Sequence, residues 1–227
     1  MLVALGFAIL AGVSEAADGF VRASEVAETE AHRVGVAAEP GSSPRAAGAG
    51  FAEQARYNFQ LVTGPLFFPA GLGPDDKSFR RIPINFRFGW WMTPPRGPGW
   101  LRGRFEGMLE LSVAPVFEGA GSIVVGPSLL LRYDFVQLEA RLVPYFQLGI
   151  GVVYTDAYQD RGQDAIGRAV EFTIQGSVGT RFALSPRISL DAELQYHHMS
   201  NAGLARRNLG INALGGLIGI SYFWDAR

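Results

Sequence analysis

The sequence holds no cysteine and only three histidines, His32, His197 and His198. The first absence excludes a disulfide framework, a thiolate metal site and a cysteine nucleophile; the second leaves too few ligands for most histidine-built centres. No metal or other cofactor is therefore expected. Excess charge is missing too: 20 basic against 21 acidic residues leave a net charge of -1, so no global field draws nucleic acid. Beyond the first residues there is no run of 18 apolar residues, despite a hydrophobic content of 48%, and no later helix is expected to cross a membrane. Helical spacing of apolar residues is scarce throughout.

The opening MLVALGFAILAGVSEAA has an apolar core from Leu2 to Val13 followed by SEA, small at both positions that signal peptidase reads. It lacks the usual Lys or Arg ahead of that core. A signal peptide is expected over residues 1–16. Residues 17–52 are rich in Ala, Glu, Gly, Ser and Pro and almost free of aromatics, which reads as a flexible spacer; His32 lies there and is given no role. The remainder, 53–227, is long enough for one domain or one closed barrel.

After Phe51 the chain becomes runs of about ten residues alternating in polarity, separated by Gly, Pro and Asp clusters, the pattern of antiparallel strands. In RIPINFRFGWW, Ile82, Ile84, Phe86, Phe88 and Trp90 share one face against Asn85, Arg87 and Gly89. In FEGMLELSVAP, Phe105, Leu109, Leu111 and Val113 oppose Glu106, Met108, Glu110 and Ser112. Phe172, Ile174, Val178 and Phe182 oppose Glu171, Thr173, Gln175, Ser177 and Arg181, and the last run starts at Leu214 and ends at Trp224. Less regular runs over residues 58–68, 123–133, 141–155 and 188–200 bring the number of strands to eight.

The polar face carries Arg87, Glu106, Glu110, Arg132, Arg141, Glu171, Arg181, Asp191 and Glu193, mixed charges able to pair across a narrow lumen. An outer-membrane barrel turns its apolar face to lipid and keeps such an interior, whereas a soluble lipid-carrying barrel would put these charges on its surface. Tyr and Trp at run ends (Trp90, Trp91, Tyr154, Tyr222, Trp224) suit interfacial girdles, and with the leader they favour lipid. The expected fold is all-β, an eight-stranded antiparallel up-and-down transmembrane β-barrel in the bacterial outer membrane. Its lumen carboxylates read as a salt-bridge network rather than a glycosidase pair.

With both termini periplasmic, the seventh strand ends outside. Its lipid-facing parity, set by Ile188, Leu190, Ala192, Leu194 and Tyr196, continues to His198 and Ser200, while Asp191, Glu193, Gln195 and His197 face the lumen. A serine activated by histidine on that wall could attack an ester presented by a lipid of the outer leaflet. Two bland readings compete: an interfacial polar histidine, and a bulge near Met199 that would shift the parity.

The stretch HMSNAGLARRNLGIN, His198 to Asn212, resembles the outer-membrane lipid A 3-O-deacylases, the PagL-like acyloxyacyl hydrolases, whose pattern is His-x-Ser-Asn followed by an asparagine-containing external loop. The resemblance implies an ester hydrolase that removes the acyl chain at position 3 of lipid A, with lipopolysaccharide as its partner and a homodimer left open. It implies Ser200 as nucleophile, His198 as general base, Asn208 as an oxyanion donor and Asn201 as a second substrate-binding position. The family's glutamate, twelve residues after the serine, is replaced here by Asn212, which would orient the imidazole without a full charge. Asp191 and Glu193 have lumen parity and substitute poorly. Arg206 and Arg207 either meet lipid A phosphates or are solvated loop charges. The competing reading is a non-catalytic surface barrel, structural or adhesin-like.

Overall fold

A computed structural model describes residues 55–68, 78–137 and 140–225. The signal peptide and the spacer lie outside the described residues, as does His32. Ten strand segments follow in order: β1 (Tyr57–Thr63), β2 (Leu66–Phe68), β3 (Phe79–Arg81), β4 (Ile84–Trp91), β5 (Arg104–Glu118), β6 (Ile123–Asp134), β7 (Leu142–Thr155), β8 (Val170–Ser185), β9 (Ile188–Ser200) and β10 (Ile211–Trp224). Every pairing is antiparallel, and β10 pairs back onto β1 and β2 to close the sheet. Closure matters because an unpaired sheet edge in hydrocarbon leaves backbone groups without partners.

The ten segments make eight barrel strands. β1 continues into β2, and β3 into β4, with the register running on from Thr63↔Ile84 to Leu66↔Arg81. The interruptions fall at Gly64–Pro65 and Ile82–Pro83, where proline has no N–H for the ladder. The eight-stranded all-β barrel expected from the sequence is the fold observed.

Alternation sorts the side chains as the strand period requires. Phe86, Leu111, Leu131, Leu148, Ile174 and Ile218 face outward, whereas Arg87, Arg132, Arg181, Glu106 and Glu193 are buried inside. Arg87 donates from Nε to Glu110 at 2.6 Å and from Nη1 to Glu193 at 2.7 Å. Arg181 Nη2 lies 2.9 Å from Glu106, and its Nη1 lies 3.2 Å from Asp134. Arg132 stacks over the Tyr145 ring at 3.9 Å, and that phenol donates to Glu193 at 3.0 Å. This interior is structural: removing one partner of such a buried pair typically costs about 3–5 kcal/mol.

Apolar clusters close both ends of the charged interior. Phe79, Ala114, Val124, Val153, Ile166 and Met199 cap the end where β9 finishes, and Val136, Val143, Ala183 and Phe223 cap the other. Two sequence expectations change here. Trp91 is not a girdle residue, because it follows Trp90 directly and so takes the opposite face. It stacks on Phe223 at 5.6 Å, lies under Arg104 at 3.6 Å and donates to Asp134 at 3.2 Å. Arg141 precedes β7 and is exposed, outside the lumen. Trp90, Tyr222 and Trp224 do cluster on the outer wall, joined by Tyr57 and Phe88.

Candidate active site

β10 begins at Ile211 rather than Leu214, which carries Asn212 into the sheet as the direct cross-strand partner of His198. Directly opposed residues of an antiparallel pair lie close enough for side chains to touch. Both point outward, as does Ser200 two residues further along β9, and Met199 between them is buried at 1% exposure with no bulge at that position. The parity read from the sequence therefore survives to the strand end.

Four side chains form one line on this wall. The Ser200 hydroxyl and His198 Nε2 are 2.9 Å apart, and His198 Nδ1 is 2.9 Å from Asn212 Oδ1. The Tyr196 hydroxyl donates to the same Oδ1 at 2.6 Å. An amide oxygen only accepts, so Nδ1 carries the ring proton and Nε2 is free to accept from the serine. That is the tautomer a general base needs, within the reach expected of a nucleophile and its base. His198, Ser200 and Asn212 are each half-buried, flanked on β8 by Ile174 and Phe172. His197 faces the lumen, buried at 8% exposure, next to Arg81 and Gln195.

The loop between β9 and β10 folds over this line. Asn201 is buried; its backbone N–H donates to Asn208 Oδ1 at 2.7 Å, its Nδ2 donates to the Arg207 carbonyl at 2.8 Å, and its Oδ1 accepts from Ala205 N–H at 3.3 Å. Both ends of the Asn201 amide are thus engaged in the loop, and its side chain also reaches the Glu171 carboxyl on β8. Asn208 is fixed by its oxygen, and its Nδ2 has no hydrogen bond to any described residue. Gly210 has φ 75°, and a Cβ there would stand 2.8 Å from His198 Cε1 and 3.3 Å from Ser200 Cβ. Only glycine lets the backbone lie this close to the imidazole in that conformation.

A second loop, between β7 and β8, buttresses the first. Gln163 is buried and ties its own loop together through Ala157, Asp160 and Ile166. Arg207 donates to the carbonyls of Asp160 at 2.6 Å, Tyr158 at 2.7 Å and Gln163 at 3.3 Å, and Gly210 N–H donates to Ala165 at 3.0 Å. Arg207 thus clamps the two loops through these carbonyls, while Arg206 stays exposed. Asp156, at the base of the buttress, is partly desolvated, yet hydrogen bonds from the Ser122 hydroxyl, Ser122 N–H and Ile123 N–H hold its carboxyl below the usual range.

Sequence reasoning missed Tyr196 as more than a lipid-facing residue, and missed Gly210 and Gln163 altogether. Gly210 alone left a signal, a glycine midway between Asn208 and Asn212. Among the described residues no cluster of three or more histidine or acidic side chains is arranged to hold a metal.

A model of the lipid A 3-O-deacylase (PagL) family matches residues 82–221, a span containing every member of this line. The chain belongs to that family. Lipid A deacylation in the outer membrane is thus its family-level activity and location. Among solved structures, the outer membrane enzyme PagL is 20% identical, covers 74% of this chain and 99% of its own, and superposes with a TM-score of 0.50. Neisserial surface protein A is 12% identical, with 73% and 95% covered and the same TM-score of 0.50. At these identities the likeness shows the barrel fold, which an enzyme and a protein named only for its surface location share. No curated protein matches the chain. The barrel fold by itself therefore does not separate a deacylase from a plain barrel.

Proposed function

We propose that this protein is a serine-dependent lipid A 3-O-deacylase that hydrolyses the ester-linked acyl chain at position 3 from within the outer leaflet. The observation that carries the proposal is the hydrogen-bonded line Ser200–His198–Asn212 on the outer wall, flanked on β8 by apolar Phe172 and Ile174. A lipid standing against that wall brings its ester to the hydroxyl without entering a cavity.

His198 Nε2 takes the Ser200 proton as Oγ attacks the ester carbonyl carbon. The tetrahedral intermediate collapses by expelling the sugar 3-oxygen, which receives that proton from the imidazolium. Water, activated by the same nitrogen, then attacks the acyl-serine carbonyl and frees the fatty acid and the hydroxyl. Asn208, held by its oxygen with Nδ2 unspent, donates to the developing oxyanion, a role typically worth roughly 3–4 kcal/mol of barrier. Asn201, which the resemblance made a substrate contact, contributes by ordering the loop that presents Asn208.

Asn212 orients the imidazole but brings no charge. In a serine protease the same acid-to-amide change costs about 10⁴ because it selects the wrong tautomer. Here the amide oxygen faces Nδ1, so the loss is only the difference between a charged and a neutral hydrogen bond, about 1–2 kcal/mol.

Export follows the leader over residues 1–16, and the spacer over 17–52 precedes the barrel. The homodimer left open by the sequence draws no support from the fold or the comparisons. The test is mass spectrometry of lipid A incubated with refolded protein. The wild type releases the 3-linked chain, and Ser200→Ala leaves lipid A intact while remaining a heat-modifiable barrel. Equal release by Ser200→Ala excludes this nucleophile, and no release by either returns the chain to the non-catalytic reading.

A further inference from the structure

We infer that Tyr196 is a positioning residue whose hydroxyl fixes the orientation of the Asn212 amide, supplying the directional control that a carboxylate in that place would provide by symmetry. The inference rests on the deacylase reading above and adds a fourth member to its hydrogen-bonded line.

A carboxylate presents an oxygen whichever way it turns. An amide does not: turned by half a rotation it presents NH₂ to the imidazole, which forces the ring proton onto Nε2 and leaves nothing to accept from Ser200. The line works only if Asn212 is held oxygen-first. His198 Nδ1 approaches Oδ1 at 2.9 Å and the Tyr196 hydroxyl at 2.6 Å, so two donors converge on one oxygen. A phenol donates more strongly than it accepts, since its lone pairs delocalise into the ring while its proton is acidic beside that of an alcohol. The flipped amide would replace a short phenol-to-oxygen bond with a weaker one from the amide N–H to the phenol oxygen.

Placement supports the same role. Tyr196 lies two residues before His198 on the outer face of β9, with Leu214 opposite on β10 and Gly176 opposite on β8. Gly176, directly opposite, has no side chain to crowd the ring. The ring is 43% exposed and lies on the lipid side, where a phenol left unpaired is costly. Its hydroxyl spends its proton on the atom that decides the tautomer.

The test compares Tyr196→Phe in two backgrounds, the wild type and the isosteric Asn212→Asp, using refolded full-length barrels checked for heat-modifiability. It reads lipid A turnover and the rate at which a fluorophosphonate labels Ser200. With Asn212 present, Tyr196→Phe lowers kcat and the labelling rate about tenfold with little change in KM, the loss of one neutral hydrogen bond. In the Asn212→Asp background, where no flip exists, the same change costs less than about twofold. Equal costs in both backgrounds, a change in KM alone, or no change with Asn212 overturns the inference. If Asn212→Asp does not insert, Asn212→Glu replaces it with the same expectation. The underlying reading fails separately: the fluorophosphonate then labels wild type and Ser200→Ala alike, whatever Tyr196 does.

Discussion

Two histidines stand next to each other on β9 and face different worlds. His197 looks into a lumen where arginines pair with carboxylates; His198 looks out onto a wall where serine, asparagine and tyrosine form a line with no charged member. The lumen tolerates charge where ions pair at close range, as Arg87 does with Glu110 and Glu193. Beside the His198 line no ion pair stands among the described residues, and an ionised side chain turned to hydrocarbon is expensive. A neutral amide in place of a glutamate fits that wall at lower desolvation cost, and it gives up electrostatic support for the imidazolium in return. Residue type therefore says less about role than the face it occupies, and in the proposed mechanism the two faces of one strand divide stability from chemistry.

The largest expected effect breaks the comparison at the histidines. His198→Ala removes the proposed base and lowers turnover by about a thousandfold or more, as loss of a unit member does. His197→Gln leaves turnover within about twofold, because it changes only the lumen. Comparable losses in both, measured as fatty-acid release, would mean the faces are not divided. Next, Arg87→Met leaves Glu110 and Glu193 short of a partner and lowers stability by about 3–5 kcal/mol in denaturant titration of the folded barrel, while turnover per folded molecule is unchanged. Restoring balance with Glu110→Gln in the same chain recovers part of that loss. Smallest is Gly210→Ala, which forces an L side chain into φ 75° against the His198 ring. Its strain of about 1–2 kcal/mol falls on the site, lowering kcat about tenfold with little change in barrel stability.

The two faces were legible in the sequence because strand parity needs no tertiary knowledge. Once Leu190, Leu194 and Tyr196 fix the outward set, His198 and Ser200 follow by counting. What counting missed came from register and from loops. Asn212 was left outside the last strand because Gly210 and the polar pair Asn208 and Asn212 read as loop; only pairing with β9 extends β10 back to Ile211 and sets Asn212 opposite His198. Trp91 was misread because aromaticity was weighed above parity, although Trp90 beside it already held the outer face. The first two strands were read as unbroken, since Pro65 and Pro83 remove donors without changing the pattern of apolar residues. Arg207 looked like a loop charge because its partners are backbone carbonyls of another loop, which no local pattern announces.

The most direct measurement is to map, by peptide mass spectrometry, where a fluorophosphonate attaches to the refolded barrel. One adduct is expected, on Ser200, formed in the wild type and suppressed in His198→Ala. An adduct on a different serine, or labelling of Ser200 at an undiminished rate without His198, would contradict the division of the strand into a structural and a chemical face.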